Sequence, residues 1–220
     1  MIGVVVAFRH LSECNQLEAG FHCSRADRGH GGEPAGGAEV EQRAAALRLA
    51  YPEPEEATYF PGRNADQALP IQGLDQVISA LAGEALQPAP GTSHLKPRLA
   101  LDGQSGKGGI HVDNAHWSAI IYLTPDAHCQ GWTSFHRHRR TDSEHAPVFP
   151  GEAERMGLNH PSEIWEKIVF PDQDRPEAWD TTMTVPMRYN RMALFRSYLW
   201  HNAGPSFGAT PETGRLILPL

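Results

Sequence analysis

From Arg98 onward the chain is divided into short apolar runs separated by turn residues, and this pattern limits the fold more than any other feature. The runs are Arg98–Asp102, Ile110–Val112, Ser118–Thr124, Trp132–His136, Thr181–Val185, Arg191–Phe195, Leu199–His201 and Arg215–Leu218. Runs this short, rich in β-branched and aromatic residues and bounded by Gly, Pro, Asn and Asp, predict strands. Eight of them predict a sandwich or jelly roll, mainly β, with helices only at its flanks. One flanking helix is legible: Leu74, Val77, Ile78 and Leu81 recur at helical spacing before Gly83, which predicts a helix over Leu74–Leu86 with one face on a sheet.

The remaining segments are read more coarsely. Residues 1–54 form an N-terminal extension, with a Gly-, Ala- and Glu-rich loop at Gly29–Glu41 followed by a short helix, Val40–Ala50. Its composition buries little surface, so the domain proper is placed at 55–220. Between Arg137 and Asp180 lies a long, charged, Pro-containing stretch with one helical candidate, Glu163–Phe170. Loops of this length inside a compact domain are usually functional covers, so 137–180 is read as a lid-like insert.

The 220 residues, 40% hydrophobic and 20% charged, fit one globular domain. A net charge of −7 argues against nucleic acid as a partner, because affinity for a phosphate backbone comes from Lys and Arg displacing counterions. The cysteines Cys14, Cys23 and Cys129 are odd in number and lack metal-site spacing, which fits reduced thiols in a cytoplasmic protein; Cys14 and Cys23 could pair only in an exported one. The apolar run Ile2–Phe8 has no preceding positive residue and is too short for a signal core. No apolar stretch nears the roughly 20 residues that cross a bilayer, so no membrane is expected.

The chemistry-bearing residues are His111, Asp113 and His201. In a strand, residues two apart share a face, so His111 and Asp113 can reach one ion. His201, ending a strand pair near the C-terminus, completes a set of two imidazoles and one carboxylate. That set leaves three positions open, as non-haem Fe(II) oxygenases require for O2 and cosubstrate. Taken alone, His-x-Asp is a weak signal, and its bland reading is a surface loop. Arg215 heads an otherwise apolar terminal strand, where a guanidinium fork suits the distal carboxylate of 2-oxoglutarate; a surface ion pair is its bland reading. Tyr122 shares a strand face with Ser118 and Ile120 and is either a second donor to that carboxylate or plain core.

Two rivals are weighed against this. His136 and His138 are also two apart and could serve a cupin-type metalloenzyme, although Arg137, Arg139 and Arg140 would repel an ion and fit a solvated loop entrance. A jelly roll that keeps the fold but serves as a non-catalytic binding module is the other. The stretch Gly103–Gly108 lacks the Ser or Thr of a phosphate loop and reads as a turn.

The segments HVDN with AIIYLTPD (111–126), GWTSFHRHR (131–139) and VPMRYNRMALFRSYLWHNAGPSFG with GRLIL (185–218) resemble a group of uncharacterised bacterial 2-oxoglutarate/Fe(II)-dependent dioxygenases. The likeness covers roughly residues 55–220. It implies a double-stranded β-helix (jelly roll, cupin-like), iron at His111, Asp113 and His201, and 2-oxoglutarate at Arg215. The wider superfamily often carries a hydroxyl residue two places after that arginine, where this chain has Ile217, so Tyr122 is taken as the substitute donor. The implied activity is hydroxylation of an unactivated C–H bond in a small molecule or peptide.

Overall fold

The computed structural model describes residues 6–8, 37–56 and 58–220. Its strands are β1 (Val6–Phe8), β2 (Arg63–Asn64), β3 (Arg98–Ala100), β4 (Trp117–Tyr122), β5 (Trp132–His138), β6 (Trp179–Pro186), β7 (Met192–Arg196), β8 (His201–Ala203) and β9 (Arg215–Pro219). They form two antiparallel sheets, a six-stranded one ordered β1-β7-β4-β9-β3-β2 and a three-stranded one ordered β6-β5-β8. The mainly β architecture with flanking helices is the expected one. Cys14, Cys23 and most of the Gly29–Glu41 loop lie outside the described residues.

Alternation along the strands explains why the runs from Ser118 and Arg191 read as almost continuously apolar. Ala119, Ile121, Met192, Leu194, Leu216 and Leu218 face one cluster with Leu74 and Ile78 of α2 (Leu74–Ala82). Tyr122, Ala193, Phe195 and Ile217 point the other way, into a cluster with Phe135 and Val185 of the smaller sheet. A strand buried on both faces loses the polar half of its period. Helix α2 ends before Leu86 because Gly83 takes a left-handed conformation at φ 73° and caps it.

Three expectations are revised. Ile110–Val112 is not a strand: only His111 bridges, pairing with His201. The expected strand Leu199–His201 instead starts at His201, because the Leu199 N–H turns back onto the Arg196 carbonyl. The N-terminal stretch is not separate from the core. Its helix α1 (Gly37–Leu47) buries Ala46 completely, and Leu47 and Tyr51 pack against the α2 cluster. The apolar run near the start contributes β1, which pairs with β7.

The stretch between β5 and β6 is folded upon a core of its own. It contains α3 (Glu152–Arg155), a π-helical turn at Trp165–Val169 and α4 (Phe170–Asp172). Leu158, Ile164, Ile168 and Val169 pack with Trp179 and Trp200, and with Ile110 and Val112 on either side of His111. Among the described residues no helix is long and apolar enough to cross a membrane.

Candidate metal centre

Main-chain hydrogen bonds bring the two imidazoles together. The His111 N–H donates to the His201 carbonyl at 3.0 Å and the His201 N–H donates back at 2.9 Å, while the Asp113 N–H donates to the Ser197 carbonyl at 2.9 Å. The chain can run this close to the insert because residue 109 is glycine; a Cβ there would collide with the Gln173 carbonyl. The ring centroids of His111 and His201 lie 4.4 Å apart. One potential ligand atom from each of His111, Asp113 and His201 falls within 4.8 Å of the others.

Both rings are oriented by their second nitrogen. His111 Nδ1 lies 2.8 Å from the Gly109 carbonyl, and His201 Nδ1 lies 2.8 Å from that of Leu199. A carbonyl only accepts, so Nδ1 carries the proton in each and the Nε2 lone pairs face inward, as a metal-ligating imidazole requires. Those Nε2 atoms stand 3.5 and 3.4 Å from the two oxygens of Asp113. The Ser118 hydroxyl donates to Asp113 Oδ2 at 2.6 Å and fixes the carboxylate.

The electrostatics follow from burial. Desolvation, then the charge of His201, hold His111 below its ordinary value. Desolvation would lower His201 too, but the Asp113 carboxylate outweighs it and raises the group. Burial alone would raise Asp113, yet the charge of His201 and the ring nitrogens of both histidines beside it hold it well below the usual carboxylate range. The cluster therefore sets an ionised carboxylate between two ring nitrogens, a donor set that fits a divalent ion with an imidazole preference.

The cluster opens on a cavity of about 490 Å³, within the size range of small-molecule sites. His111, Asp113 and His201 line it, as do Thr133, Arg98 and Arg215. Arg215 is only 3% exposed, and its Nε and Nη2 find no hydrogen-bond partner among the described residues. Burial pushes its pKa down, and a guanidinium stays protonated in proteins. A buried cation with unmade donors is expensive unless an anion meets it.

Tyr122 stands differently from the expectation. Its hydroxyl donates to Thr133 Oγ1 at 2.8 Å, and Thr133 is the residue that lines the cavity. Burial raises the Tyr122 pKa, against the hydrogen bond to Thr133 and the nearby Arg215, so it remains a protonated donor. Tyr122 thus reaches the cavity through Thr133, whose own proton is left to donate onward.

His136 and His138 do not join the metal cluster. His136 Nε2 meets Asn202 Oδ1 at 3.0 Å, and its Nδ1 meets Thr181 Oγ1 at 3.3 Å. His138, fully buried, meets Thr141 and Asp172 at 2.8 and 3.1 Å. With both nitrogens of each ring engaged, neither has a lone pair aimed at an ion. The solvated entrance expected around them is a strand, β5, whose Arg137 pairs with Asp180 and whose following Arg140 pairs with Asp172. The residues that sequence reasoning missed are Ser118, Thr133 and above all Arg98, which the signal used for Arg215, a charge heading an apolar strand, would have found.

Fold and site define a mainly β protein of two antiparallel sheets that carries a buried His–Asp–His cluster on a cavity. Residues 39–219 match a family of unknown function, DUF6445, and the chain belongs to that family. No protein of curated function matches it in sequence.

Proposed function

We propose that this chain is a non-haem Fe(II), 2-oxoglutarate-dependent dioxygenase built on a double-stranded β-helix, hydroxylating an unactivated C–H bond of a small molecule or peptide. The observation that carries the reading is one cavity lined by two groups of opposite character. One is a pair of inward imidazole nitrogens with a carboxylate; the other is a buried guanidinium with two unmade donors. A ligand that chelates a metal through a keto acid and ends in a second carboxylate matches both groups.

In this reading His111 and His201 present Nε2 to the ion, and Asp113, held by the Ser118 hydroxyl, supplies the charged ligand. Bound there, Fe(II) would couple decarboxylation of 2-oxoglutarate to oxygen activation, one oxygen atom entering succinate and the other the hydroxylated product. Arg215 fixes the distal carboxylate, with Thr133 placed to add a donor polarised by Tyr122. Phe60, Phe135 and Phe195 pack within 4.9, 6.3 and 4.7 Å of the histidine rings and keep the metal side apolar, which limits water and side reactions.

The test is succinate formation from 2-oxoglutarate by the Fe(II)-loaded chain in air, preceded by anaerobic titration of both ligands. Slow uncoupled turnover is expected without the true substrate. Binding of Fe(II) and 2-oxoglutarate with no succinate would leave a binding module; failure to bind either would end the proposal.

A further inference from the structure

Arg98 stands beside Arg215 on the cavity wall. The β3–β9 register sets Arg98 opposite Ile217 and Ala100 opposite Arg215, so the two arginines are diagonal neighbours on one face of the large sheet. Both line the cavity. Arg98 is held from behind: its Nε donates to Asn64 Oδ1 at 2.8 Å, and Asn64 Nδ2 donates to Ser93 Oγ at 2.9 Å. Its guanidinium carbon lies 5.1 Å from the centre of the Phe60 ring, the ring that also packs on His111. That leaves Nη1 buried and without a hydrogen-bond partner, as are Nε and Nη2 of Arg215.

No carboxylate among the described residues pairs with either arginine. Desolvation and then the charge of Arg215 hold Arg98 down to about 10, so it is still a cation at neutral pH. Two adjacent cations, Arg215 buried and Arg98 half-buried, in a chain of net charge −7 with acidic groups to spare, are unfavourable unless an anion is bound between them. The unmade donors are N–H groups in planar forks, the geometry that matches carboxylate oxygens.

We propose that Arg98 and Arg215 form a paired seat for a single carboxylate, with Arg98 the second positioning residue for the distal carboxylate of the cavity's ligand. The proposal rests on the dioxygenase reading only for naming that ligand as 2-oxoglutarate. Each carboxylate oxygen accepts more than one hydrogen bond, so one group can satisfy both forks. Asn64 acts through Arg98, fixing its plane.

Glutarate, which has the distal carboxylate but no keto-acid chelate, separates the seat from the metal. Calorimetric titration of the full-length, chelator-treated chain should show glutarate binding. Arg98→Gln and Arg215→Gln should each weaken it at least tenfold, and the double variant should be little worse than the weaker single one, because the two arginines act on one group. Arg98→Lys keeps the charge and the fold and should still bind several-fold more weakly, since an ammonium cannot replace the fork. The glutarate-induced rise in melting temperature should disappear in Arg98→Gln while its ligand-free melting temperature stays near the parent's, which a purely structural arginine would not do. The seat is overturned if Arg98→Gln or Arg98→Lys binds glutarate like the parent, if the parent does not bind it, or if inorganic phosphate displaces it through the same two arginines. Succinate formation with an unchanged KM for 2-oxoglutarate in Arg98→Gln would remove the seat and keep the dioxygenase. Arginine-dependent glutarate binding without succinate formation would do the reverse.

Discussion

Each imidazole of the cluster has one nitrogen committed to a carbonyl, so its remaining lone pair has a single direction in which to act. His111→Ala, Asp113→Ala and His201→Ala should therefore each abolish Fe(II) binding in an anaerobic titration, and Ser118→Ala should weaken it by about 10- to 100-fold through loss of carboxylate orientation. His136→Ala and His138→Ala should keep the ion; iron loss in either would move the metal assignment to β5. His138 has a different role. Burial, opposed by Asp172, lowers its pKa below the ordinary 6.5, so it is neutral in the folded chain and the unfolded chain takes up the proton first. Its contribution is present above pH 6.5 and is lost as pH falls toward the folded value. Melting temperatures followed from pH 7.5 down to 5.5 should fall in the parent and fall less steeply in His138→Gln. The ligands were legible as a His-x-Asp pair with a later histidine, although the strand period used to join them does not hold there: His111 forms an isolated bridge and Asp113 follows in a loop. Thr133 and Ser118 were not, since a hydroxyl that orients another side chain leaves no spacing of its own in the sequence.

At the level of elements, the insert between β5 and β6 differs most from its sequence reading. Its apolar residues sit on short turns, 3-10 and π-helical segments, none long enough to repeat a period, so a buried cluster looked like a charged loop. Strands of five to eight residues in β4, β5, β6, β7 and β9 were legible for the opposite reason. Ile168 is fully buried in a cluster that includes Ile110 and Val112, the neighbours of His111. Ile168→Ala should cost about 2–5 kcal/mol in denaturant unfolding and weaken metal binding as well, because the cavity forms in the cluster that holds the residues on either side of His111. Hydrogen exchange divides the insert further. Amides of the Ile164–Val169 region should be protected, while those of Gly151 and His160, exposed and without a hydrogen-bond acceptor among the described residues, should exchange fast. Uniformly rapid exchange over the whole insert would restore the open lid.

Over the whole molecule, the large sheet is covered on one face by helices and on the other by the smaller sheet, so its stability depends on both covers. This is why the boundary near residue 55, drawn from composition, falls too late: Ala46, Leu47 and Tyr51 pack on the sheet although the segment before them is rich in Gly and Ala. A chain lacking residues 1–54 should melt well below one lacking residues 1–36, as only the former loses α1; equal melting temperatures would restore the original boundary. The reciprocal main-chain bridge between His111 and His201 has a further effect. Two of the three ligands are fixed by peptide groups, which form whether or not an ion is present, so stripping the metal should leave the circular dichroism spectrum unchanged, unlike a zinc finger, which unfolds without its ion. Such a site exerts no folding check on what enters it, and the affinity order of divalent metals favours Ni, Cu and Zn over Fe(II). Correct metallation then depends on the metal supply around the protein, and the chain purified from a zinc-rich medium would be well folded, fully loaded and inert.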